Sequence, residues 1–336
     1  MRAARKAAFA ILGLSLCAVS VFGQGQPAAP AAPVPPATET VAPDIPGVVR
    51  GGTRVIVIKD DLRGTEGPVA LPDGTLAFTE GGADRISRID ENDTVAPYIE
   101  KANLTNAIGF DSKGRMVTVQ RGTAAGMQIG YIGRAGNEGM LANDFDGNPN
   151  DLVVAKNDAV YFTVPVDRTA AQGAPATRAT PFSPGVYYIA PGTKRSVRVA
   201  EGITNPNGIT LSRDERTLYV NDTRGEFLVA MDVLSDGRLG PKRTFAKYEG
   251  VTKTDTGVAS GADGLAIDAD GRIYAATTIG VQVFSPQGQH LGTIPFSRPP
   301  QNLAFAGRDK KTLYVVGRNA AFKVQMLVSG YQGRAK

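Results

Sequence analysis

The sequence predicts an all-β chain, a six-bladed β-propeller preceded by a signal peptide and a Pro/Ala-rich linker. Three observations carry that prediction. Glycine makes up 40 of 336 residues, 12% against a usual ~7%, and with 22 prolines this indicates many tight turns and short strands. A turn that leads into an apolar, β-rich strand recurs six times. No stretch keeps a helical period for more than two turns.

Composition sets the outer limits. Hydrophobic residues are 42% and charged residues 21%, close to ordinary globular values, so a sizeable core is expected and wholesale disorder is excluded. The net charge of +5 falls to +2 once Arg2, Arg5 and Lys6 are set aside. No basic run remains, so nucleic acid has no electrostatic support as a partner.

Residues 1–23 read as an export signal. Arg2, Arg5 and Lys6 form the positive end, AFAILGLSLCAVSVFG (8–23) is the apolar stretch, and cleavage is expected near Gly23 or Gly25. The competing reading is a membrane anchor, for which the run is short against a span of ~20 residues. The one cysteine, Cys17, lies inside this segment, and Leu16 before it does not suit a lipoprotein signal. A mature chain without cysteine has no disulfide or thiolate chemistry. The expected location is periplasmic or secreted, with no membrane contact after the signal is removed. Residues 24–47 are Pro/Ala-rich and read as a semi-extended linker, which places the propeller at 48–336.

The repeated units follow in order. PDGTLAFTE (72–80), SKGRMVTVQ (112–120), KNDAVYFTV (156–164), RDERTLYVND (213–222), ADGRIYAAT (269–277) and RDKKTLYVV (308–316) each place turn residues ahead of a strand. A short apolar strand precedes each unit and a third strand follows several of them; the fourth is weaker. Three to four strands per ~40–50 residues, six times over, is the mark of a β-propeller. The strand TRVIVIKD (53–60) has no unit of its own and is expected to pair with AFKVQMLV (321–328) and close the ring. Closure removes exposed sheet edges, so a monomer is expected.

In a propeller the innermost strands point at one axis, so the residues at their heads converge. Those positions hold Glu66, Asn106, Asn150, Asn207, Asp263 and Asn302. Oxygen donors alone suit a hard cation, and calcium takes six to eight oxygens at ~2.3–2.6 Å. Zinc would prefer His or Cys. The bland reading is turn chemistry, because Asn and Asp before Gly tolerate left-handed backbone; Glu66 fits that reading poorly. His290, in SPQGQHLGT (285–293), is expected in a surface turn between outer strands. With no Ser-His-Asp arrangement near the axis, serine catalysis is not expected.

EGP (66–68), PND (149–151), PNGI (206–209) with LYVNDT (218–223), and ADGLAID (262–268) with DGRIYAAT (270–277) together resemble the senescence-marker-protein/gluconolactonase/luciferin-regenerating-enzyme-like family, over roughly residues 50–325. The resemblance implies a six-bladed propeller with one central divalent cation, usually calcium. It implies Glu66, Asn150, Asn207 and Asp263 as metal ligands, and Asp263 as the catalytic carboxylate. Three departures stand out. Asn148 occupies the position of a substrate-binding Arg in animal members, Val164 replaces an acid in FTVP, and Gln120-Arg121-Gly122 replaces a Glu-His-Gly.

The expectation is a calcium-dependent lactonase. The metal polarises the lactone carbonyl, Asp263 acts as general base for water, and Asn106, Asn148 and Arg121 orient the substrate. Alternatives are an extracytoplasmic binding propeller with a structural calcium, or a hydrolase of another ester or phosphotriester. A metal-free, strictosidine-synthase-like reading is disfavoured by the converging donor set. The insertion at 166–185 reads as a lid or a docking loop.

Overall fold

The structure is a computed structural model, and it describes residues 35–133, 138–165, 183–255 and 257–334. The signal segment and nearly all of the 166–185 insertion lie outside the described residues. Among the described residues there is no α-helix; one 3-10 turn spans Gly81–Ala83.

Six antiparallel sheets form the blades. Blade 1 runs Thr65–Ala70, Leu76–Glu80, Arg85–Ile89 and Val95–Glu100 from the axis outward, and blades 2 to 5 repeat that order. Their inner strands are Thr105–Phe110, Leu152–Val154, Pro206–Leu211 and Leu265–Ile267. Blade 6 is built from both ends of the chain. Asn302–Ala306, Thr312–Gly317 and Ala320–Gln325 are joined by Arg54–Lys59 and then Thr40–Val41. The closing pair is antiparallel with Val55 opposite Val324, as the sequence led us to expect. A hairpin of Thr252–Thr254 and Gly257–Ala259 is an addition that the repeat pattern does not show.

The core is not central. It consists of six apolar layers, each between two neighbouring blades. Successive strand residues point to opposite faces, and here both faces are covered. Val153 joins the layer toward blade 4, whereas Leu152 and Val154 join the layer toward blade 2. That is why the inner strands read as continuous apolar runs rather than alternating ones. The fourth strands lie at the rim and are the least buried; Val95–Glu100 has no buried residue. Their weak sequence signal has this cause.

One boundary needs correction. Residues from Pro36 onward belong to the folded unit, so 36–47 is not linker. Ala37 N–H donates to Asp60 Oδ2 (2.9 Å), Thr38 N–H to Ser297 Oγ (3.0 Å) and Thr40 Oγ1 to Pro295 O (2.6 Å). Ala42 and Ile45 are buried in the layer between blades 5 and 6, and Ile45 fills the space left open by Gly292. A Pro/Ala-rich stretch hides this role because its few apolar side chains dock on a surface made elsewhere.

Ile45→Ala should therefore lower the unfolding free energy by ~2–5 kcal/mol, the usual cost of truncating a buried isoleucine. A chain that starts at Val48 should melt below one that starts at Pro36. Thermal and urea unfolding of the three proteins checks both outcomes.

Candidate functional site at the head of the central channel

The six inner strands meet their neighbours in cyclic order, and the sixth returns to the first. Their heads are stitched together at every junction. Thr79 Oγ1 of blade 1 donates to Asn106 O (3.4 Å), and Asn106 Nδ2 donates to Asn150 O (2.9 Å). Thr163 Oγ1 of blade 3 donates to Asn207 O (2.6 Å). Gly208 N–H and Asn221 Nδ2 both donate to Asp263 O, at 2.9 and 2.6 Å. Gly264 N–H donates to Gln301 O (2.7 Å), and Asn302 Nδ2 returns to Glu66 Oε2 (3.0 Å). All six positions expected from the sequence thus belong to one closed circuit at one end of the channel.

Local backbone explains why these residue types stand there. None of the six has a positive φ, so left-handed turn chemistry does not account for the Asn and Asp. The glycines that follow them serve close approach instead. A Cβ on Gly208 would lie 2.0 Å from Asp263 O, and one on Gly264 would lie 2.2 Å from Asn302 Oδ1. Inner strands also change register just past the head in blades 1, 2 and 4, after Glu66, Thr105 and Pro206. Such bulges re-aim a side chain.

Individual placements differ in kind. Glu66 is half-buried and accepts from Asn302, from its neighbour Gly67 N–H (3.2 Å) and from Gln301 Nε2 (3.4 Å). Asn207 is buried, and its Nδ2 donates to Thr223 Oγ1 (3.2 Å). Its Oδ1 is buried with no hydrogen-bond partner among the described residues. Asp263 is half-buried, with its backbone fixed by Ala276, Gly208 and Asn221. Asn148 is exposed in the loop before Asn150.

Arg121 is not a solvated loop residue. It donates to Asn106 Oδ1 (2.7 Å) and to Pro149 O (2.9 Å), so it ties blade 2 to the head of blade 3. Both ends of the Asn106 amide are thereby engaged within the protein. His290 does not sit in a turn: it opens the outer strand His290–Ile294, with its Nε2 3.0 Å from Thr293 Oγ1.

Sequence reasoning missed a second tier. Thr79, Thr163 and Asn221 are fully buried on the second strands and clasp the head of the following blade. Tyr248 Oη donates to Asn221 Oδ1 (2.7 Å) and fixes that clasp. Asn302, one of the six heads, positions Glu66. The signal that could have found this tier is a polar residue in a second strand at the register of the head; Glu66 lies opposite Thr79.

A buried amide oxygen without a donor is costly unless something satisfies it. Asn207 Oδ1 is such an oxygen, and the carboxylates and carboxamides of the six heads are the donor types that a hard cation takes. Among the described residues no cluster of three or more His, Cys, Asp or Glu exists; the site relies on amides as well as acids.

Comparison with known proteins gives consistent results. Residues 64–318 match the SMP-30/Gluconolactonase/LRE-like region. A gluconolactonase of Zymomonas mobilis is 25% identical over 310 residues, covering 86% of each chain. The solved structure of a gluconolactonase from Xanthomonas campestris superposes with a TM-score of 0.73 at 27% identity, covering 89% of this chain and 99% of that one. A calcium-binding protein, regucalcin, from Agrobacterium tumefaciens superposes with a TM-score of 0.66, covering 83% and 95%. At 19% identity that last likeness shows the fold alone.

Gly208→Ala should disrupt the circuit by pushing its Cβ into Asp263 O. We expect a stability loss at or above the ~1–3 kcal/mol usual for overpacking, because the clash is with backbone. Thr193→Ala, in an exposed turn, is the control; differential scanning calorimetry reads both.

Proposed function

This chain belongs to the SMP-30/gluconolactonase/LRE-like family, and from that premise we propose that it is a hydrolase of lactones that depends on a divalent cation, with calcium the preferred ion. The single observation that carries the cation is the buried Asn207 Oδ1 without a donor. Glu66, Asn150, Asn207 and Asp263 would hold the ion. When bound it supplies Lewis acidity toward an ester carbonyl and toward the oxyanion that follows.

The chain's own residues do the rest. Asp263 accepts a proton from water as the water oxygen attacks the lactone carbonyl. The ring C–O bond then breaks, and the departing alkoxide recovers a proton, leaving a hydroxy acid. Asn302 and Gln301 hold Glu66 in place. Asn106 holds Asn150 and anchors Arg121, and Asn148, exposed beside them, contacts the substrate together with Arg121. Export to the periplasm or medium completes the reading, and it rests on the sequence of residues 1–23.

Lactone hydrolysis by a chain starting at Pro36, on sugar and aliphatic lactones, with calcium and again with chelator, is the test. Turnover should require the ion. Asp263→Asn should lower kcat by about 10²–10⁴, the range for losing a general base. Full turnover in that variant would sink the base assignment. Asn207→Leu should abolish the rise in melting temperature that calcium produces in the parent. A calcium-dependent rise with no turnover on any lactone would favour a binding propeller or another ester.

A further inference from the structure

The opposite end of the channel carries chemistry that the site above does not use. A cavity of about 670 Å³ opens there, lined by the far ends of the inner strands of blades 1 to 3, the turns beyond them, and the C-terminal tail. From Glu66 to Ala70 is four residues of strand, about 13 Å, so this cavity is separate from the candidate active site. Volumes of ~300–1,000 Å³ are typical of small-molecule sites.

The tail makes part of its wall. After blade 6 the chain passes beneath blade 5, where Ala269 N–H donates to Ser329 O (2.8 Å) and Tyr331 N–H to Ile267 O (3.1 Å). It reaches blade 4, where Arg334 pairs with Glu215 (2.9 Å).

The charge on the cavity wall is unbalanced. Its two acids are already neutralised: Asp73 pairs with Arg88 (2.9 Å) and Asp111 with Arg115 (2.7 Å). Of the four cations, Arg334 pairs with Glu215 and Arg308 with the exposed Glu91 (3.6 Å), while among the described residues neither lysine has an ion-pair partner. Lys310 Nζ donates only to backbone carbonyls, Tyr331 O (3.0 Å) and Arg334 O. Among the described residues no carboxylate lies within ion-pair distance of it. Burial and the nearby Arg334 guanidinium hold its pKa below the usual lysine value. Lys156 Nζ also meets a carbonyl, Arg213 O (3.1 Å). Arg334 has a side chain 7% exposed, and its Nε is buried without a hydrogen-bond partner. Arg308 stands at the mouth, 88% exposed.

We infer that this cavity is a binding site for a small oxyanion, a metabolite carrying a carboxylate or phosphate group, seated between Lys310, Lys156 and Arg308. Lys310 is half-buried and Lys156 exposed; an ammonium partly removed from water and held only by carbonyls lacks a counter-charge, and an oxyanion supplies it. The site does not depend on the lactonase reading.

Isothermal titration of the parent protein with inorganic phosphate and with sodium gluconate, at fixed ionic strength in chloride, is the experiment. At least one anion should bind, and the pattern separates phosphate from carboxylate recognition. Lys310→Met should weaken binding at least tenfold. Arg308→Glu, an exposed change that leaves packing intact, should weaken it about as much and keeps the test decisive if Lys310→Met fails to fold. Thr193→Ala, remote from the cavity, should bind as the parent does. No heat from either anion, or affinity unchanged in the Arg308→Glu protein, overturns the proposal.

Discussion

Each blade gives a hydrogen bond to the head of the next inner strand, and the sixth gives one back to the first. Individually such bonds contribute ~1 kcal/mol net. Their importance lies in geometry: every donor and acceptor in the circuit is fixed by its partner on the adjacent blade, so no head can move alone. The side chains that leave the circuit toward the axis inherit that fixity. Glu66 is steered by Asn302, Asp263 by Gly208 and Asn221, and Asn207 by Thr163 and Thr223. A site held in this way comes preorganised, which is what electrostatic catalysis or tight ion binding requires.

The same constraint accounts for packing. Heads close enough to exchange bonds bring the inner strands too near for ordinary side chains at 208 and 264, so glycine stands there. Farther from the axis the blades diverge, and the space is filled by larger groups. Tyr219 with Phe245, and Phe296 with Phe322, meet edge to face at 4.8 and 5.5 Å. Small residues at the axis and aromatics toward the rim are one taper.

Much of this was legible in the sequence. Six recurrences of a turn and an apolar strand define the blades, because burial on both faces leaves a continuous apolar run. The closing strand was legible because 53–60 had no partner of its own. The six head positions were legible from residue type at a fixed register. What escaped has physical reasons. Residues 36–47 bury Ala42 and Ile45 in a seam built by blades 5 and 6, and no local pattern announces that. Thr79 and Thr163 escaped because threonine is at home in any strand; only the partner blade shows that the hydroxyl is engaged.

The pairing of Val55 with Val324 sets a condition on how the molecule comes into being. Blades 1 to 5 are each contiguous in sequence and can form as their residues appear. Blade 6 cannot: its outer strands precede all the others, and its inner three come last. Contacts across so long a stretch of chain form slowly. Until synthesis is nearly finished, Arg54–Lys59 waits as an unpaired apolar strand and the circuit of heads stays open. The chain therefore passes through an incomplete ring with two raw edges, the state in which it is most exposed to pairing with the wrong strand.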